Sequence, residues 1–111
     1  MKFEESKSGD ILVLTVASDR VAAESTQSFK QGLAGYADQG NQKIVLDLSR
    51  VSFVDSSGLG ALISVLKLIG ANGELVLCST QPNVASMLKL TRMNKVFRIF
   101  GNRDEAIAAL S

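Results

Sequence analysis

Three short, almost unbroken apolar runs set the limits on what this chain can become: Ile11-Leu12-Val13-Leu14-Thr15-Val16, Ile44-Val45-Leu46-Asp47-Leu48 and Leu75-Val76-Leu77-Cys78. Each lacks the apolar–polar alternation of a half-solvated strand and is short for a helix. Strands of this kind are covered on both faces, as in parallel sheets flanked by helices. Helical patterns fill the stretches between them. From about Ala23 to Asp38, Phe29, Leu33, Tyr36 and Ala37 recur at spacings of three and four and mark a core face. From about Ser57 to Gly70, Leu59, Leu62, Ile63, Leu66 and Ile69 lie on one arc, expected to face the sheet. Pro82 suits the first turn of a further helix with Val84, Met87 and Leu88 inward, ending near Thr91. Asn102 and Glu105 have capping-box spacing ahead of a last helix that buries Ala106, Ile107 and Leu110.

The remaining stretches complete the order. Residues 2–8 are a weak strand candidate, joined by the hairpin signal Gly9-Asp10 to the first apolar run as an antiparallel edge. Ala17 to Val21 reads as a loop with Asp19-Arg20 as its charged tip. Gly40-Asn41 and Ala71-Asn72-Gly73 close the first two helices. Met93-Asn94-Lys95 is a connector, and Val96 to Phe100 alternates like a final strand. The expectation is an α/β fold: one domain over residues 1–111, with a mostly parallel or mixed sheet of about four to five strands and helices packed against it.

What is missing narrows the chemistry. There is no histidine, so neither a serine–histidine nucleophile pair nor a histidine metal site can be built. No phosphate-loop motif occurs; Gly58-Leu59-Gly60 begins like a dinucleotide fingerprint, but Ile63 stands where its third glycine belongs. Val54 occupies the position where a nucleophile elbow needs glycine. No catalytic residue, cofactor or metal is expected. A net charge of +1 and five Phe, one Tyr and no Trp give no basis for nucleic-acid binding. The one cysteine, Cys78, reads as a core residue. No run approaches the roughly 18 apolar residues of a spanning helix, and the N-terminus lacks a signal-peptide core. A cytoplasmic protein without direct membrane insertion is expected.

The stretch Val51-Ser52-Phe53-Val54-Asp55-Ser56-Ser57-Gly58-Leu59-Gly60 is the one place left for function. An apolar run stops at Asp55 and a helical pattern starts at about Leu59, which puts small hydroxyls at a helix N-terminus. Unpaired N–H groups and the helix dipole favour negative charge there. Asp and Ser are also ordinary caps. Gly58 and Gly60, costly inside a helix, suggest that something approaches the backbone closely. Ala61, Val65 and Leu68 form a second stripe on that helix: either the helix is buried on two sides, or a docking surface continues from Ser56 along it. A buried Val65 would exclude docking there.

Taken with the order of elements, Ile44 to Leu48 and Val51 to Gly60 give the chain a resemblance to stand-alone STAS domains of the anti-sigma factor antagonist family. Leu75 to Cys78 and the Pro82 helix start fit as well. The resemblance covers nearly the whole chain. It implies a monomer that acts by partner switching: the unphosphorylated form binds and sequesters a serine-kinase anti-sigma factor, phosphorylation of Ser56 releases it, and a PP2C-type phosphatase restores the first state. Asp55, Ser56, Ser57, Gly58, Leu59 and Gly60, with Asp19 and Arg20 of the first loop, are then the partner-binding residues. Ser57 is the rival hydroxyl. Ala22 stands where the family usually has Asp, which puts partner contacts from that loop in question. A second reading is a STAS subunit of a membrane transport assembly, an interaction module without phosphate chemistry.

Overall fold

The computed structural model describes residues 1–111. β1 (Phe3–Ser8) and β2 (Ile11–Val16) form a hairpin in full register, Phe3 opposite Val16 and Ser8 opposite Ile11. Gly9 turns the corner at φ +62, a conformation that glycine adopts without strain. β2 pairs in parallel with β4 (Lys43–Asp47), β4 with β6 (Glu74–Cys78), and β6 with β7 (Ile99–Phe100). The order β1-β2-β4-β6-β7 makes a mixed five-stranded sheet with one antiparallel edge.

The two faces of the sheet are covered unequally. Leu12, Leu14, Val16, Ile44, Leu46, Leu75 and Leu77 point to one side. There they meet α1 (Thr26–Asp38), α2 (Ser56–Gly70) and α3 (Pro82–Leu90) through Phe29, Leu33, Leu62, Val65, Val84 and Leu88. Ile11, Val13, Val45, Val76 and Cys78 point to the other side, under Ala106 and Leu110 of α4 (Arg103–Leu110). Strict alternation along strands that are largely apolar on both faces explains why the runs showed no alternation in hydropathy. Asn102 caps α4 as its spacing foretold: its Oδ1 accepts from Glu105 N at 2.9 Å. No helix is long and apolar enough to cross a membrane.

Three expectations need correction. α1 begins at Thr26, not Ala23, because Ala22–Ser25 closes its own turn: Ser25 N donates to Ala22 O at 2.8 Å and Ala22 N to Ser25 Oγ at 3.2 Å. Val96 to Phe100 is not one strand. Val96 and Phe97 still donate to Met93 O, continuing the 3-10 turn Met93–Lys95, and only Ile99–Phe100 joins the sheet. Phe97 is nonetheless buried, so the alternation reported an anchor rather than a strand.

The third correction concerns α2. Its buried arc is Gly58, Ala61, Leu62, Val65 and Ile69, while Leu59, Ile63 and Leu66 are half-buried. The arc is rotated from the expected one because α1 packs against α2, with Lys30 and Ala34 lining the same hollow as Val65. Val65 is 2% exposed, which excludes the docking surface suggested for that stripe. Of that stripe, Leu68 alone is open to solvent.

Candidate partner-binding site around Ser56

The junction is built by two short strands that no periodicity announced. β3 (Arg20–Val21) runs parallel to β5 (Phe53–Val54), with Arg20 beside Phe53 and Val21 beside Val54. Asp19 O accepts from Ser52 N at 2.9 Å and Phe53 N at 3.2 Å. These bonds carry the Asp19-Arg20 tip against the strand that enters the Asp55-Ser56-Ser57 corner, so the two segments expected to share a partner lie together.

Asp55 is the N-cap of α2, with extended backbone at φ −91, ψ −176. Its Oδ1 accepts from Gly58 N at 2.7 Å and its Oδ2 from Ala23 N at 3.0 Å. One carboxylate therefore caps α2 and also ties down the turn before α1. The bond from Gly58 N holds its carboxyl below the usual carboxylate range, helped by the N–H groups of Ala23 and Ser57 and by the Arg20 charge, against some desolvation. Ala22 is fully buried, and the neighbouring Ala23 N–H is the group that Asp55 engages.

The two glycines have different reasons. A Cβ on Gly58 would lie 1.9 Å from Val21 O, so the close approach there is the chain's own β3. A Cβ on Gly60 would meet nothing within 4 Å, and the residue is exposed. Ser56 and Ser57 are both exposed in the first turn of α2, and Leu59 beside them is half-buried. The surface reached from Ser56 thus includes Ser57, Leu59 and Gly60, whereas Gly58 lies beneath it.

Residues that sequence reading passed over complete the surface. Phe53 is 44% exposed although it lies in an apolar run, and the Arg20 guanidinium stacks over its ring at 4.8 Å from the centroid. Glu24 Oε1 holds Arg20 Nε at 2.9 Å. The i,i+4 spacing of Arg20 and Glu24 could have signalled the pair, but their side of the junction could not be read without the β3–β5 ladder.

A five-stranded sheet closed by one antiparallel edge strand, with helices against both faces, defines a small α/β domain; the chain belongs to the STAS domain family, whose model matches residues 2–106. Within it, the chain is 30% identical over 101 residues to BtrV of Bordetella bronchiseptica, named as an anti-sigma factor antagonist, covering 90% of this chain and 87% of that one. A crystal structure of a Thermotoga maritima protein named in the same way superposes with a TM-score of 0.87 at 27% identity, covering 97% and 93% of the two chains. The Bacillus cell fate determinant SpoIIAA, solved in a phosphorylated form, shares the fold at 18% identity with a TM-score of 0.71, covering 99% of this chain and 100% of that one.

Proposed function

We propose that this chain is a cytoplasmic antagonist of an anti-sigma factor and works by partner switching, with Ser56 as the switch. The unphosphorylated form binds a serine-kinase anti-sigma factor across Ser56, Ser57, Leu59, Gly60, Asp19 and Arg20, with Asp55 and Gly58 shaping that surface from below. In the kinase, Ser56 Oγ attacks the γ-phosphorus of ATP, the bond to the β–γ bridging oxygen breaks, ADP leaves and the hydroxyl proton passes to a base. A PP2C-type phosphatase returns the serine by hydrolysis. The chain itself is substrate and ligand, with no catalytic step of its own.

The observation that carries this reading is the position of Ser56: exposed, first in α2, and directly after a cap whose carboxylate is committed to backbone N–H groups. A phosphate there adds about −1.5 to −2 charge at pH 7. The helix N-terminus tolerates it locally, so the domain keeps its shape while a partner covering the site meets a dianion beside Asp55. A loss of ~1.4 kcal/mol weakens that partner tenfold. The transport-module reading needs no serine at position 56 and leaves this arrangement without a purpose.

The test is a pull-down and titration with the kinase partner, together with intact-mass analysis after incubation with ATP. Ser56→Asp is expected to lose kinase binding with its melting temperature changed by only a few degrees. Ser56→Ala is expected to bind and to resist phosphorylation. Stoichiometric phosphorylation of Ser56→Ala at one site would move the switch to Ser57 or elsewhere, and unchanged binding by Ser56→Asp would remove it.

A further inference from the structure

We propose that Arg20 is a built-in counter-ion for phosphate on Ser56, and that it takes up the phosphate by releasing Glu24. The inference rests on Ser56 as the modified position and adds what the rest of the chain does when the modification arrives.

The geometry comes from the side-chain cluster next to the corner. Arg20 lies beside Phe53 in the β3–β5 ladder, three residues ahead of Ser56 along β5 and its exit. Its guanidinium rests on the exposed Phe53 ring, a flat surface that fixes the plane of the fork without using its donors. Only Nε is engaged, by Glu24 at 2.9 Å, and the two terminal nitrogens have no partner within the chain. Arg20 and Glu24 are both half-exposed or more, so the clamp between them is open to competition.

The charges around the corner single out Arg20. Asp55 feels Arg20 as an attractive charge and Glu24 feels Asp55 as a repulsive one, which places all three groups in one electrostatic neighbourhood with Ser56 next to Asp55. Of the other arginines, Arg50, Arg98 and Arg103 are paired elsewhere, with Glu4, Glu74 and Asp47, and Arg92 stands in the turn that follows α3. A phosphate dianion offers three acceptor oxygens and about twice the charge of a single carboxylate, and a guanidinium fork binds it in bidentate fashion. Turning Arg20 from Glu24 toward position 56 therefore exchanges a one-donor clamp for a stronger pair. The exchange leaves Glu24 as an unpaired carboxylate at the start of the α1 turn. The switch then changes the surface at two places: at Ser56, where a dianion is partly neutralised, and at Glu24, where a masked negative charge is uncovered. A partner that tolerated the Arg20–Glu24 pair meets repulsion from both.

The experiment installs phosphoserine at position 56 during synthesis of the full chain, so that it does not depend on the kinase or on which serine the kinase selects. A phosphorus NMR titration then reads the second ionisation of the phosphate. Arg20→Ala is expected to raise that pKa by roughly 0.3–0.7 unit, the size given by one solvent-exposed ion pair. Arg20→Lys is expected to recover part of the shift, since it keeps the charge and loses the fork. In the unmutated chain, the Glu24 carboxyl is now held low by its own backbone N–H and by Arg20. It is expected to titrate higher once Ser56 carries phosphate. A phosphate pKa indistinguishable between the parent and Arg20→Ala, or a Glu24 titration unmoved by the phosphate, would overturn the proposal. Either result would leave the kinase-binding role of Ser56 to be judged by the pull-down.

Discussion

Gly58→Ala is the substitution for which the structure dictates the largest penalty from the smallest chemical change. The added methyl would sit 1.9 Å from Val21 O and 2.7 Å from Val21 C, against 3.4 Å for ordinary contact, a shortfall of 1.5 Å at the oxygen. The obstacle is backbone held in the β3–β5 ladder, so no rotamer change relieves it. The same oxygen accepts from Asp55 N at 3.3 Å, a bond that any retreat of β3 would lengthen. Overpacking costs about 1–3 kcal/mol and a weakened hydrogen bond about 0.5–1.5 kcal/mol, offset by the ~1 kcal/mol that Ala gains over Gly inside a helix. The net expectation is a loss of about 2 kcal/mol, or roughly 8–10 °C in melting temperature for a domain of this size. Gly60→Ala is the internal control. With open space at its Cβ it should gain up to ~1 kcal/mol. Urea and thermal unfolding of the two variants measure both. A Gly58→Ala protein as stable as the parent would refute the packing argument, and with it the account of how β3 is held against the Ser56 corner.

Three further outcomes are expected. Asp47 is 4% exposed at the end of β4; burial opposes its ionisation, but bonds from Arg103 at 2.8 Å and Ser49 N at 2.8 Å outweigh it and hold the carboxyl low. A carboxyl lowered in the folded state contributes stability that is complete above its ordinary value of 3.8 and is lost as pH falls through the lowered one. Asp47→Asn should therefore flatten the acid limb of stability below that value, measured by urea unfolding from pH 2 to 7. Asp55, lowered in the same direction, leaves a residual slope. Arg103→Ala strands the Asp47 carboxylate and the Thr15 hydroxyl; discounted because Arg103 is 41% exposed, the cost at neutral pH is about 1–2 kcal/mol by the same assay. Cys78 is fully buried, and desolvation raises its thiol above the ordinary range, so alkylation by iodoacetamide should track global unfolding in urea. Rapid labelling of the native protein would contradict that placement.

The local signals in the chain were enough for its elements. Ile11 to Val16 became a strand with every residue buried, Gly9 made the hairpin, and Asn102 capped α4, because each depends on residues within a few positions of one another. The Asp55-Ser56-Ser57 corner was legible for the same reason: a strand end, a cap and a helix start are adjacent in sequence. The α2 face was misjudged because helical periodicity fixes an arc but leaves open which neighbour covers which side, and α1 lies beside Val65.

Sequence order and hydropathy by themselves determined the mixed sheet, its covered faces and the exposed serine corner, since these follow from short-range backbone preference and the need to bury apolar runs. Tertiary structure alone decided which distant groups meet, at that corner and on the other face of the sheet. Ala23 N reaches Asp55 across 32 positions, and Arg103 reaches Asp47 and Thr15 across 56 and 88. Gly58 must be glycine because Val21 passes over it. Such pairings arise only when the sheet brings distant segments to one edge, and a hydrogen bond or a steric limit between them leaves no periodic trace in either segment.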